Sequence, residues 1–136
     1  MSERIKACKI FEFEAAHFLF GYKGKCKNMH GHSYKLEIEF SCYLDFFERF
    51  VCESNPSSCM VMDFSVLKKV VNKKIIGLLD HKLLNDVEED NFPWWMPTAE
   101  NMVVWIFKKL NGSFAEEICS RVRLWETSTS FAEISK

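Results

Sequence analysis

The sequence predicts an α+β fold of element order β-β-α-α-β-β, an antiparallel sheet carrying two helices on one of its faces. Three observations carry that reading. Apolar and charged residues alternate through 11–17 and again through 33–40, which is the period of a half-buried strand. Apolar residues then recur at helical spacing behind a capping residue at Asp63, and again behind Thr98. Alternation returns at 121–126 and 131–134.

In the first strand Phe11, Phe13, Ala15 and His17 share one face and Glu12 and Glu14 the other, so His17 closes an apolar face. Upstream, Lys9 breaks the parity set by Ile5 and Ala7, which reads as a bulge or register change near Cys8. The second strand sets Tyr34, Leu36, Ile38 and Phe40 against Lys35, Glu37 and Glu39, and His30 and His32 carry the parity of its apolar side. Paired as an antiparallel hairpin, the two strands bring His17 close to His30 and His32. The loop between them contains Gly21, Lys23, Gly24, Lys25 and Cys26.

Residues 41–59 read as an excursion. Phe46, Phe47, Phe50 and Val51 suit one side of one or two helical turns, Asn55-Pro56-Ser57-Ser58 a turn, and Cys59-Met60-Val61-Met62 a short returning strand. Asp63 caps a helix over 64–76 with Leu67, Val70, Val71 and Ile75 on one side and Gly77 as its stop. Asp80-His81 opens an acidic, proline-bearing loop that runs to Pro97. Thr98 caps the second helix, whose stripe of Met102, Trp105, Ile106 and Leu110 ends at Asn111-Gly112. In the strand that follows, Val122, Leu124 and Glu126 face one way and Arg121, Arg123 and Trp125 the other; a Thr/Ser-rich turn leads to the last strand.

At 136 residues the chain has the length of one domain, and with 48% hydrophobic, 15% aromatic and 27% charged residues it suits a packed globule. The aromatic excess points to surface buried between subunits. A net charge of −1 and a pI near 6.4 provide no broad field for nucleic acid or an acidic membrane. The N-terminus lacks a signal-type apolar region and no run approaches a membrane span, which predicts a cytoplasmic protein. The six cysteines show no framework spacing, so they read as reduced thiols, with Cys8 and Cys119 as small core residues.

Three histidines with a fourth position left for water or substrate is the arrangement of a catalytic zinc site, and His17, His30 and His32 fit it. The competing reading is that His30-Gly31-His32 merely decorates a strand end. Cys26, flanked by Lys25 and Lys27, reads either as a thiolate base or nucleophile or as a fourth ligand of a closed structural site. Asp80-His81 is either an acid–base pair, which needs a turn to bring neighbouring side chains together, or an exposed loop pair. Glu126 either ends a buried face with a charge that needs a bidentate N–H partner, or is solvated beyond the strand.

The chain resembles the 6-pyruvoyltetrahydropterin synthase and 6-carboxytetrahydropterin synthase family. The resemblance runs through Phe11-Glu12-Phe13-Glu14-Ala15-Ala16-His17, Cys26 to Tyr34, Met60-Val61-Met62-Asp63-Phe64, Leu79-Asp80-His81-Lys82-Leu83-Leu84-Asn85, Pro97-Thr98-Ala99-Glu100-Asn101 and Trp125-Glu126-Thr127-Ser128-Thr129-Ser130. It implies the tunnelling fold, a T-fold whose trimers join their sheets into a barrel and pair into hexamers. It implies Zn2+ on His17, His30 and His32, Cys26 as general base with Asp80 and His81 supplied by a neighbouring subunit, and Glu126 as anchor of the pterin ring with Thr98 and Glu100 nearby. The implied substrate is 7,8-dihydroneopterin triphosphate, with Lys23 and Lys25 meeting part of its triphosphate.

Three residues separate Cys26 from His30, and the chain ends its fourth strand in Trp125-Glu126-Thr127; both resemble the 6-carboxytetrahydropterin synthases of queuosine biosynthesis. The alternatives are the pyruvoyl-forming synthase acting on the same substrate and a non-catalytic zinc- and pterin-binding module. Residues 41–59 depart from the family pattern, being longer and more aromatic than its usual hairpin connection.

Overall fold

The computed structural model of the chain describes residues 3–53, 59–114 and 119–136. Strands β1 (Arg4–His17) and β2 (His30–Tyr43) form a long antiparallel hairpin. After β2 come a short helix α1 (Leu44–Phe46) and a wider π-helical turn (Phe47–Cys52), then α2 (Phe64–Val71), a π-helical segment (Asn72–Ile76) and α3 (Gly77–Leu79). Strand β3 (Lys82–Leu83), α4 (Ala99–Asn111), β4 (Cys119–Thr127) and β5 (Ser130–Ser135) complete the order. The sheet runs β3-β1-β2-β4-β5, so the α+β class and the principal strands are as the alternation predicts.

The core lies between one sheet face and the helices. Phe11, Phe13, Tyr34, Leu36, Ile38, Phe40, Val122 and Leu124 supply the sheet side, and Leu67, Val71, Ile75, Met102, Ile106 and Leu110 the helix side. The caps form as the sequence requires. Asp63 Oδ1 accepts from the backbone N–H of Ser65 at 2.8 Å, and Thr98 Oγ1 from that of Asn101 at 3.1 Å.

Several expectations are corrected. The pairing of β1 with β2 is continuous from Arg4↔Tyr43 to His17↔His30, with no bulge near Cys8. Lys9 keeps the core-side parity because its ammonium reaches over the rings of Phe11 and Phe64, at 5.7 and 5.9 Å. Cys8 is exposed, on the face away from the helices, whereas Cys119 is buried as expected. Gly77 does not stop the helix: its φ of −62° is right-handed helical, and the chain continues to Leu79. Glycine serves there because a Cβ at position 77 would lie 2.8 Å from the Asn72 carbonyl, which the π-helical segment turns toward it.

Residues 59–62 form no strand, and the turn expected at 55–58 lies outside the described residues. The sheet is mixed rather than purely antiparallel, since β3 pairs parallel to β1 through Ala15↔Lys82 and Ala16↔Leu83. No described helix is long and apolar enough to cross a membrane.

On the opposite sheet face, Glu39 is 7% exposed and its carboxylate accepts from Arg121 Nε at 2.9 Å and Ser120 Oγ at 2.9 Å, with Lys6 Nζ 3.8 Å away. Burial raises its pKa, but the bonds from Arg121 and Ser120 and the charges of Arg121 and Lys6 outweigh burial and hold it below the ordinary value. A depressed folded pKa contributes stability that is present above the unfolded value of about 4.3 and is lost as pH falls through the lower folded one. Glu39→Gln is therefore expected to destabilise the fold by about 1–3 kcal/mol at pH 7. The gap to wild type should close as pH drops below about 4.3, which urea denaturation at several pH values measures.

Candidate metal centre

The end of the buried sheet face is polar. His17 stands directly opposite His30 in the β1–β2 ladder, and His32 lies opposite Ala15, so the three imidazoles leave the two strands on the helix side. Glu126 joins them from β4. Trp125 pairs with Phe131 and Thr127 with Ser130, which leaves Glu126 as the extra residue of a β-bulge. Bulges re-aim side chains, and here the carboxylate comes to 3.1 Å from His32 Nε2. One donor atom from each of His17, His30, His32 and Glu126 lies within 4.8 Å of all the others.

The hydrogen bonds around the imidazoles fix their protonation. His17 Nδ1 is 2.8 Å from the Pro97 carbonyl and His30 Nδ1 is 2.7 Å from the Asn28 carbonyl. A carbonyl only accepts, so both Nδ1 atoms carry a proton, and each ring in its neutral form presents a bare Nε2. Those two Nε2 atoms face each other at 3.0 Å. Two lone pairs at that distance repel unless a cation stands between them. His32 Nε2 is buried and has no hydrogen-bond partner, since Glu126 Oε1 is near but off the bonding direction.

Burial disfavours the charged forms of His17 and His32. Burial lowers the pKa of His17, against the Pro97 hydrogen bond and the Glu126 charge, which raise it. Burial likewise lowers that of His32 against Glu126. The Tyr34 hydroxyl, 3.4 Å from His17 Nδ1, is pushed far up by burial and then by Glu126, so it remains protonated. Neutral imidazoles with outward N–H groups held by carbonyls and inward lone pairs converging with a carboxylate fit a divalent transition metal. Zinc bonds of about 2.0–2.1 Å place ligand atoms about 3.3 Å apart in a tetrahedron, close to the 3.0 and 3.1 Å separations here.

The remaining predicted residues sit around this cluster. Cys26 lies in a 3-10 turn (Lys25–Lys27), half-buried, with its carbonyl accepting from Leu19 N–H at 2.8 Å; its thiol is not among the clustered donors. Lys23 and Lys25 are exposed on the same loop. Asp80 and His81 do meet, Oδ1 to Nδ1, at 3.0 Å. The turn this demands is supplied by His81 in the left-handed region, at φ 60°, while its N–H donates to the Glu14 carbonyl. Asp80 also accepts from Glu14 N–H at 2.9 Å, which more than any other contact lowers its pKa.

The His81 side chain is 78% exposed, over a shallow cavity that Glu14, Ser33 and His32 also line. Neither Asp80 nor His81 is among the donors that converge in the histidine cluster. Glu100 and Glu126 line one cavity of about 540 Å³, together with Val103, Val104 and Phe131. The Thr98 hydroxyl is occupied in capping α4.

The sequence reading missed the two carbonyl acceptors of Pro97 and Asn28 and the hydroxyl of Tyr34, and it set Glu126 apart from the histidines. Main-chain oxygens leave no residue signature. The parity of Glu126 with Val122 and Leu124 was the available signal that it faces the same way as His32.

The chain matches the family model described as "6-pyruvoyl tetrahydropterin synthase" over residues 6–136. It is 37% identical to a 6-carboxy-5,6,7,8-tetrahydropterin synthase of Haemophilus influenzae, with 94% of this chain and 96% of the relative covered. It is likewise 37% identical to an enzyme of that name from Synechocystis, over 91% and 88%. Among solved structures, the 6-pyruvoyl tetrahydropterin synthase of Caenorhabditis elegans superposes with a TM-score of 0.79 at 24% identity, over 98% of this chain and 96% of that one. That likeness is one of fold.

Titration with cobalt(II), followed by its visible absorption, is expected to show one tightly held ion per chain. His17→Ala should weaken binding by more than the roughly 10–100-fold typical of outer-shell changes, because it removes one of the converging donors, an Nε2 whose ring the Pro97 carbonyl orients through Nδ1.

Proposed function

Because the chain belongs to the 6-pyruvoyl tetrahydropterin synthase family, we propose that it is a zinc-dependent lyase. With one water consumed, it converts 7,8-dihydroneopterin triphosphate to 6-carboxy-5,6,7,8-tetrahydropterin, releasing acetaldehyde and triphosphate. The observation that carries this reading is the convergence of bare imidazole nitrogens on one point, beside a cavity that Glu100 and Glu126 help to line. The names of the relatives at 37% identity support the carboxy product, as do the three residues between Cys26 and His30.

His17, His30 and His32 would hold the zinc. When bound, it supplies Lewis acidity toward the side-chain hydroxyls of the substrate. Glu126 anchors the pterin: a carboxylate accepts both N–H donors of a cyclic guanidine-like edge, and Glu100 lines the same cavity. Thr98 starts the helix that carries Glu100. Cys26 acts as general base, taking a carbon-bound or hydroxyl proton from the substrate side chain. Asp80, held as an anion by Glu14 N–H, orients His81 through Nδ1 and leaves Nε2 to accept or return a proton.

Because Asp80 and His81 are not among the clustered donors of their own chain and the His81 side chain is exposed, we assign the pair to the site of a neighbouring subunit, in a homotrimer or hexamer. Lys23 and Lys25 meet part of the triphosphate. The chain acts as one domain, in the cytoplasm, in the route to queuosine.

Incubation of zinc-loaded protein with 7,8-dihydroneopterin triphosphate is expected to yield acetaldehyde and a pterin with the mass of the 6-carboxy product. A pyruvoyl product without acetaldehyde would move the enzyme to the carbon–oxygen lyases, and no turnover would leave a zinc- and pterin-binding module. Cys26→Ala should abolish turnover with zinc content unchanged; loss of zinc in that variant would make Cys26 a ligand instead of the base.

A further inference from the structure

Asn85 stands outside the cluster, yet its carboxamide joins the two chain segments that make the environment of His17. Phe18 N–H donates to Asn85 Oδ1 at 3.0 Å, and Asn85 Nδ2 donates to the Phe18 carbonyl at 3.0 Å and to the Trp94 carbonyl at 3.2 Å. The orientation of the amide has one solution, since an N–H can be met only by Oδ1 and two carbonyls only by the two hydrogens of Nδ2. Both donor hydrogens are used, and the pair of bonds to Phe18 mimics one rung of a β-ladder at the point where β1 has ended.

The two segments are those that matter. Phe18 follows His17, whose ring is fully buried, and Trp94 lies three residues before Pro97, whose carbonyl holds His17 Nδ1. Other contacts fix the 90–97 segment internally or against α4: Trp105 Nε1 donates to the Asp90 carbonyl at 3.1 Å and Asn101 Nδ2 to the Met96 carbonyl at 2.9 Å. Neither of these touches β1 or its continuation. Asn85 grips both sides.

We propose that Asn85 is a positioning residue of the metal centre: by tying Phe18 to Trp94 it sets the separation at which His17 Nδ1 meets the Pro97 carbonyl, and so fixes the tautomer that turns the Nε2 lone pair inward. The metal part of this inference rests on the reading of the histidine cluster given above; the tautomer part does not. Loss of an outer-shell partner of a ligand histidine typically weakens metal binding about 10–100-fold, and loss of the clamp should act through the same bond.

Long-range proton–nitrogen correlation spectra of the metal-free protein report which His17 nitrogen bears hydrogen. The wild type should show the Nδ1–H form, and Asn85→Ala a mixture of both tautomers together with zinc(II) binding weakened about 10-fold or more in competition with a chromophoric chelator. A merely structural asparagine would lower the melting temperature and leave tautomer and zinc affinity as in wild type, which would overturn the proposal. Should Asn85→Ala not fold, Asn85→Asp decides by the same readouts, because it keeps the acceptor for Phe18 N–H and loses both donations. If the wild type itself binds no zinc, the metal reading fails, and the His17 tautomer alone upholds or overturns the role of Asn85.

Discussion

The register of β1 against β2 is the constraint on which the rest of this structure depends. A strand repeats its faces every two residues, so a slip of one position would carry His30 and His32 to the charged face and leave His17 alone. The ladder holds without interruption from Arg4↔Tyr43 to His17↔His30, and side chains on both faces oppose a slip. On the core side Phe13 stacks on Tyr34 with ring centres 4.9 Å apart; on the other side Ser33 Oγ donates to Glu14 at 2.7 Å, and Glu12 lies opposite Lys35. The same alternation that buries the apolar residues therefore aims the imidazoles, and the metal centre is the polar continuation of the core face.

Placing a polar cluster there is costly unless every group is satisfied. His17 and His30 send their Nδ1 protons to main-chain carbonyls, which leaves unfavourable lone-pair contacts inward. Burial and Glu126 pull on the imidazoles in opposite directions, and for His17 and His32 burial prevails, so the rings stay neutral and able to ligate. Glu126 is the counterweight that a divalent ion needs and an empty cluster does not. Such a cluster could hold a cation between its converging donors.

Much of this was legible in the sequence. Strict alternation located both long strands and the face of each histidine, and Asp63 and Thr98 cap their helices as their side-chain chemistry demands. What was not legible has physical reasons. Lys9 looked like a parity error because a lysine on a core face is read by its charge, while its stem and ammonium lie over two aromatic rings. Gly77 looked like a terminator because conformational freedom is the usual reason for glycine, while here the reason is the close approach of the Asn72 carbonyl. Strand β3 has two residues, too few to show any period. The carbonyls of Asn28 and Pro97 could not be read at all, since every residue has one and only the fold decides where it points.

The placement of Asp80 and His81 bears on how one chain could suffice for catalysis. Glu14 receives His81 N–H on its carbonyl and donates its own N–H to Asp80, which fastens the pair to β1 three positions before His17. Proximity in sequence and in the sheet does not place the pair within the cluster, since His81 is 78% exposed and neither side chain is among the converging donors. So mounted, the pair stands open to solvent. The left-handed backbone at His81 then has a use: it draws together two adjacent side chains that an extended strand would point apart, and presents them as a unit outward.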